Sequence, residues 1–77
     1  MTAVEINYSD LRRLIKYKYD NEANFADHIT MSRVSLNKKL NNVVGFTTAE
    51  ILEISEKLGI SKDEISRYFF TPALKIS

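Results

Sequence analysis

Residues 25–42 read FADHITMSRVSLNKKLNN, and this stretch decides the fold. It contains two short amphipathic patterns that are joined by a polar break at residues 30–32, which holds no proline. Apolar residues recur at helical spacing on both sides of the break. The spacing predicts helices over residues 22–29 and 33–41, and Ser32 is a candidate N-cap for the second of them. The buried positions of the two helices are Phe25, Ala26, Ile29, Leu36 and Leu40.

Three further helices are predicted outward from this stretch. Ser9 is a candidate N-cap for a helix over residues 9–19, which is ended by the Asp20-Asn21 pair. The spacing of Thr47 and Glu50 forms a capping box, in front of a helix that ends at Gly59. The apolar set of this helix is Ile51, Leu52, Ile54 and Leu58.

A second capping box, formed by Ser61 and Glu64, opens a fifth helix that runs to about Tyr68. Strand signals are nearly absent, so the fold class is predicted to be all-α. The length of 77 residues favours one domain over residues 1–77. Residues 1–7 are expected to be a loosely held N-terminal arm, and residues 69–77 a C-terminal tail.

Composition excludes several classes of protein. The chain has no cysteine and one histidine, His28, so neither a disulfide framework nor a metal site is expected. No catalytic constellation of acids, bases or nucleophiles is evident, and we expect neither an enzyme nor a cofactor nor a small-molecule substrate. A membrane span and a signal peptide are also not expected, which favours a cytoplasmic protein.

The charges of the chain are unevenly distributed, although the net charge is only +1. Between Asp27 and Glu50 there is no acidic residue, whereas three basic residues occur there. Such a window can lie against a polyanion without repulsion, but a solvated basic face is an equally good interpretation of the charge alone.

The exposed side of the predicted third helix carries the side chains that read base edges. Arginine suits guanine, asparagine suits adenine and valine suits the thymine methyl group. The predicted base-contacting residues are Arg33, Val34, Ser35, Asn37 and Lys38. Hydroxyl, amide and ammonium groups around them suit the DNA backbone. The predicted phosphate-contacting residues are Asn21, Asn24, Ser32, Lys39, Asn41 and Asn42.

Phe25-Ala26-Asp27, the break, and Ser32 through Asn42 resemble the helix-turn-helix of small phage repressors of the lambda repressor and Cro type, within the XRE-like class. The continuation FTTAEILEISEKLGISKDEI, residues 46–65, resembles the fourth and fifth helices of that family. The resemblance covers roughly residues 8–70. It implies a compact five-helix lambda-repressor-like domain, with the helix-turn-helix in helices 2 and 3.

For function, the resemblance implies a sequence-specific regulator of transcription, encoded by a phage or prophage, which blocks a promoter in a bacterial cytoplasm. Its partner would be a palindromic double-stranded DNA operator, bound by a homodimer. The family commonly has glycine where this chain has Thr30, and glutamine where it has Glu22. We expect a strained or altered turn at Thr30, and altered phosphate contacts around Glu22.

Two further interpretations concern association. The aromatic residues at the start of the tail exceed what one face of a terminal helix can hide, so they either close the monomer core or form a dimer patch. The possible dimer contacts are Tyr68, Phe69, Phe70 and Leu74. The alternative function is a helix-turn-helix-shaped module that binds a protein, as an antirepressor or antitoxin would, with little affinity for DNA.

Overall fold

The computed structural model describes residues 5–73, and this part of the chain consists of α-helices joined by turns. The helices are α1 (Ser9–Tyr19), α2 (Glu22–Ala26), α3 (Arg33–Leu40), α4 (Thr48–Leu58) and α5 (Ile65–Phe69), and a 3₁₀ turn at Lys62–Glu64 precedes α5. The all-α prediction is confirmed for the described residues.

Two of the four predicted capping signals form as expected. The Ser32 hydroxyl accepts a hydrogen bond from the Ser35 N–H at 3.1 Å, which opens α3. Both halves of the Thr47–Glu50 capping box are present in front of α4, with distances of 2.8 and 3.2 Å. These caps satisfy N–H groups that have no partner within the helix.

The other two signals were wrong. Helix α1 begins after Tyr8, and the Asn7 side chain, rather than Ser9, accepts the first free N–H, that of Ser9, at 2.9 Å. At the fifth helix, the Ser61 hydroxyl donates weakly to the Glu64 carboxylate at 3.4 Å and caps no backbone N–H. The chain therefore forms a 3₁₀ turn there before the α-helix begins.

Helix α2 is shorter than predicted and ends at Ala26 rather than at residue 29. The His28 N–H donates to the Phe25 carbonyl and the Ile29 N–H to the Ala26 carbonyl, at 2.9 and 3.3 Å. These bonds span three residues instead of four, so the chain tightens into turns. Ile29 nevertheless stays buried, as predicted.

The core lies between α1, α2, α3 and α4 and is closed by α5. Its fully buried side chains are Leu11, Ile15, Phe25, Leu36, Ile54 and Leu58. The predicted core residues of α2 and α3 are all buried. Leu52, a member of the apolar set of α4, is 58% exposed and does not belong to this core.

A carboxylate on α4 holds the connection between α2 and α3 in place. The Thr30 N–H and hydroxyl donate to the two oxygens of the Glu53 carboxylate, at 3.0 and 2.8 Å. Among the described non-glycine residues, only Asp20 and Asn42 have positive φ. Thr30 therefore does not adopt the conformation that glycine favours, and the strain that was one expectation for this position is absent.

The two ends of the described chain meet beside the end of α3. Ile6 and Pro72 form an isolated antiparallel β-bridge, and Asn7 N–H donates to Thr71 O at 2.8 Å. On the other side of Ile6, the Asn42 amide accepts from its N–H at 2.8 Å and donates to its carbonyl at 2.9 Å. Residues 5–7 are thus held on both sides, and residues 1–4 of the predicted arm lie outside the described residues.

Candidate functional site

The outer face of α3 is the main concentration of exposed polar and basic side chains that sequence reasoning singled out. Its i, i+4 rows place Leu36 and Leu40 in the core, with exposures of 0% and 3%. The positions of the other α3 side chains follow from this geometry, because helix periodicity turns the residues that do not share the Leu36–Leu40 row away from the core. Arg33, Val34, Asn37 and Lys38 are exposed, and Ser35 is half-buried.

This face of α3 borders the start of α2 and forms a shallow groove with it. The groove is lined by Glu22, Arg33, Val34, Asn37 and Lys38. Within residues 5–73, neither Arg33 nor Lys38 forms an ion pair with a carboxylate. No carboxylate of this part of the chain therefore competes with an external anion for either cation.

Glu22 would place a negative charge in this groove, but a cation of α1 compensates it. The Arg12 guanidinium donates to the Glu22 carboxylate at 2.6 Å. Its other terminal nitrogen donates to the Asn41 side chain at 2.9 Å. Glu22 thus has its partner within the chain, and repulsion of an anion at this edge is reduced.

Lys39, a predicted phosphate contact, is held inside the molecule. Its ammonium donates to the Gly45 carbonyl and lies 3.1 Å from the Glu50 carboxylate, and its side chain is 12% exposed. Partial burial raises the pKa of Glu50, but the Thr47 backbone hydrogen bond and Lys39 outweigh it, so the pKa lies below its ordinary value. Lys39 and Glu50 therefore fasten the end of α3 to the start of α4.

The other predicted phosphate contacts also take part in internal hydrogen bonds. Asn21 accepts from the Asn24 N–H at 2.8 Å and caps α2, so that backbone amide is not free for an anion. Asn41 bridges Arg12 and Asn37, while Asn42 and Ser32 have the roles described above. The Asn24 side chain is exposed, and within the described chain it forms no hydrogen bond of its own.

The aromatic residues of the C-terminal end divide between core and surface. Phe69 is 2% exposed and packs edge-on against Phe46, with ring centroids 5.4 Å apart. Its ring therefore helps to close the monomer core, which is the first of the two interpretations of these aromatic residues. Tyr68 is half-buried and Phe70 is 55% exposed. Leu74 lies outside the described residues.

Sequence reasoning missed two features of this end of the molecule. Arg12 connects α1 to both α2 and the end of α3. Val43 and Val44, 66% and 48% exposed, form a small apolar patch in the loop after α3. The exposed valines could have been noticed from their place in a loop, whereas no local pattern signals a contact between residues 12 and 41.

Within residues 5–73, no group of three or more histidine, cysteine, aspartate or glutamate residues is placed to hold a metal ion. Within the same part of the chain, no helix has the length and apolar character that crossing a membrane requires.

Fold and site together define a small all-α protein with one solvent-facing helix of cationic, amide and apolar side chains. Residues 4–72 match the model of a family described as a protein of unknown function (DUF739). The chain belongs to this family, since the match spans most of its length. No curated protein matches the chain.

Proposed function

We propose that this protein is a sequence-specific double-stranded DNA-binding regulator of the phage or prophage Cro/repressor type. In this proposal α2 and α3 act as a helix-turn-helix, and α3 enters the major groove. The observation that carries it is the outer face of α3, where Arg33, Val34, Asn37 and Lys38 are exposed together. Within residues 5–73, the two cations of this face form no ion pair with a carboxylate.

The roles of the side chains follow from their chemistry. Arg33 donates a bidentate pair to guanine, Asn37 bonds a base edge, and Val34 contacts a thymine methyl group. Lys38 contributes mainly by attraction to phosphate, and the exposed Asn24 side chain is a further phosphate donor. Lys39 is left out of this set, because it would have to leave Glu50 to reach a phosphate.

Regulation would follow from occupancy of a promoter in a bacterial cytoplasm. A homodimer on a palindromic operator would set two copies of α3 about one DNA turn apart, roughly 34 Å. Phe70, exposed beside the end of α5, is the best candidate among the described residues for the contact between copies.

The test begins with selection of bound duplexes from a random pool, which reports both the operator and its symmetry. On the selected site, Arg33→Ala and Asn37→Ala should each weaken specific binding by about 1–3 kcal/mol and relax the preference at one base position. Lys38→Ala should lower affinity for every duplex and reduce the salt slope by about 1. The control is Arg13→Ala, on the exposed side of α1.

Failure to enrich any sequence, or unchanged operator binding in all three α3 variants, would refute the proposal.

A second candidate function is a module that binds a protein partner, and the exposed apolar patch at Val43 and Val44 favours it. The two are separated by a gel shift with random duplex DNA at low salt. Absence of measurable binding there would support the protein-binding module.

A further inference from the structure

Four polar side chains connect the start of α2 to the outer face of α3 in one unbroken series, which we call the Arg12 relay. Glu22 accepts from Arg12 at 2.6 Å, and Arg12 donates to Asn41 Oδ1 at 2.9 Å. The Asn41 Nδ2 group then donates to Asn37 Oδ1 at 3.1 Å. The relay ends on the residue that projects into the candidate groove.

The chemistry of the first two members fixes the direction of the whole series. A carboxylate only accepts hydrogen bonds and a guanidinium only donates them. The Asn41 atom that faces Arg12 must therefore be its oxygen, which turns its NH₂ group toward Asn37. Asn37 in turn must present its oxygen to Asn41. The amide group of an isolated surface asparagine could adopt either of two flipped orientations. The Asn37 amide group cannot flip without breaking the relay.

We propose that Arg12 is a positioning residue that sets the hydrogen-bonding polarity of Asn37 toward DNA. This rests on the proposed function. With Oδ1 engaged by Asn41, the group that Asn37 offers outward is its NH₂ donor. The contacted base must then present an acceptor in the major groove, as guanine, adenine and thymine do. Cytosine presents only its N4 donor there, so Asn37 discriminates against cytosine at the contacted position.

The ordinary alternative is that Arg12 and Glu22 form a surface ion pair between α1 and α2. Their side chains are 35% and 29% exposed, and pairs of this kind contribute little to stability. A purely structural pair would change affinity for all sequences alike. A positioning residue changes the discrimination among bases at one position, so specificity is the measurement that separates the two.

The variant is Arg12→Met, which keeps most of the aliphatic stem and removes every donor. Its control is Arg13→Met, the same change of charge at the next residue of α1, where the arginine is 77% exposed and, among the described residues, pairs with Asp10 alone. Dissociation constants are measured at one salt concentration for the selected duplex and for all single base-pair changes in it.

Arg12→Met should lower discrimination against cytosine at one base position by about fivefold or more, the lower end of what one good base contact contributes. Arg13→Met should leave every ratio unchanged. Asn37→Asp, which replaces the outward donor by an acceptor, should shift the preference at that position toward cytosine. Identical ratio profiles for Arg12→Met and Arg13→Met would overturn the proposal.

A second measurement tests the relay in the free protein. Side-chain amide NMR relaxation should show a restrained Asn37 NH₂ group in the wild type and in Arg13→Met, and a mobile one in Arg12→Met. Equal mobility in all three overturns the positioning role, whatever DNA binding shows. Absence of any sequence preference in the wild type refutes the proposed function instead, and the NMR comparison still decides whether Arg12 orients Asn37.

Discussion

The sharpest stability prediction concerns Asn42, where a left-handed backbone and a two-point side-chain contact coincide. Its φ is 63°, a conformation that costs an ordinary L-residue about 1–2 kcal/mol and glycine almost nothing. Its amide also satisfies both backbone groups of Ile6. Glycine and alanine at this position therefore separate the two contributions.

Asn42→Gly keeps the backbone conformation and removes the two hydrogen bonds. Each is a neutral bond near the surface, so the expected loss in the free energy of unfolding is about 1–2 kcal/mol in total. Asn42→Ala loses the same bonds and adds strain at positive φ, which brings the loss to about 2–3 kcal/mol. In a domain of this size, 1 kcal/mol lowers the Tm by about 4–8 °C.

Thermal and urea denaturation followed by circular dichroism measure these losses, and hydrogen exchange at the Ile6 N–H reports the contact directly. Val43→Ala is the control: its side chain is 66% exposed, so we expect a change within about 0.5 kcal/mol. If Asn42→Gly matches the wild type, the amide contributes nothing. If glycine and alanine are equally destabilising, the left-handed strain is absent. Either result would refute the reasoning.

Four further substitutions test the fold. Phe69→Ala should cost about 3–5 kcal/mol because the ring is buried, whereas Phe70→Ala should change dilute-solution stability by less than about 0.5 kcal/mol; equal losses in urea titrations would contradict the placement. Glu50→Gln should lower the free energy of unfolding at neutral pH and should make that free energy fall less steeply as the pH is lowered into the acid range. The pKa of Glu50 is lowered by folding, so its stabilisation is present above its unfolded pKa and is lost as pH falls through the folded one; unchanged acid sensitivity would count against it. Asp20 has φ 75° in a turn where the Asn21 N–H bonds the Tyr19 carbonyl, so Asp20→Gly should raise the free energy of unfolding by about 1 kcal/mol; a lower Tm would argue against strain there.

The faces of α3 could be predicted from the sequence because they depend on local periodicity. Once Leu36 and Leu40 are assigned to the core, the geometry of a helix turns Arg33 and Asn37 outward, whatever the rest of the chain does. The bounds of α1 and the cap at Thr47 were predictable for the same reason, since each depends on residues within one or two turns.

What could not be predicted depends on residues far apart in the chain. The Lys39 side chain has the chemistry of a phosphate contact, yet α4 brings the Glu50 carboxylate within 3.1 Å of its ammonium group. Arg12 reaches Asn41 across 29 positions. Leu52 satisfies the apolar pattern of α4, but no other element covers it. Tertiary placement decides these three cases, and a local pattern carries no information about it.

The pairing of Ile6 with Pro72 has a consequence for chain topology. Because the two ends of the described chain lie side by side, a short linker could join them without disturbing a helix, and new ends could be opened in the exposed connection at Val44 and Gly45. In that circular permutant the helix order becomes α4, α5, α1, α2, α3. The helix with the exposed cationic and amide face would then be the last element of the chain, open to extension at its carboxyl end.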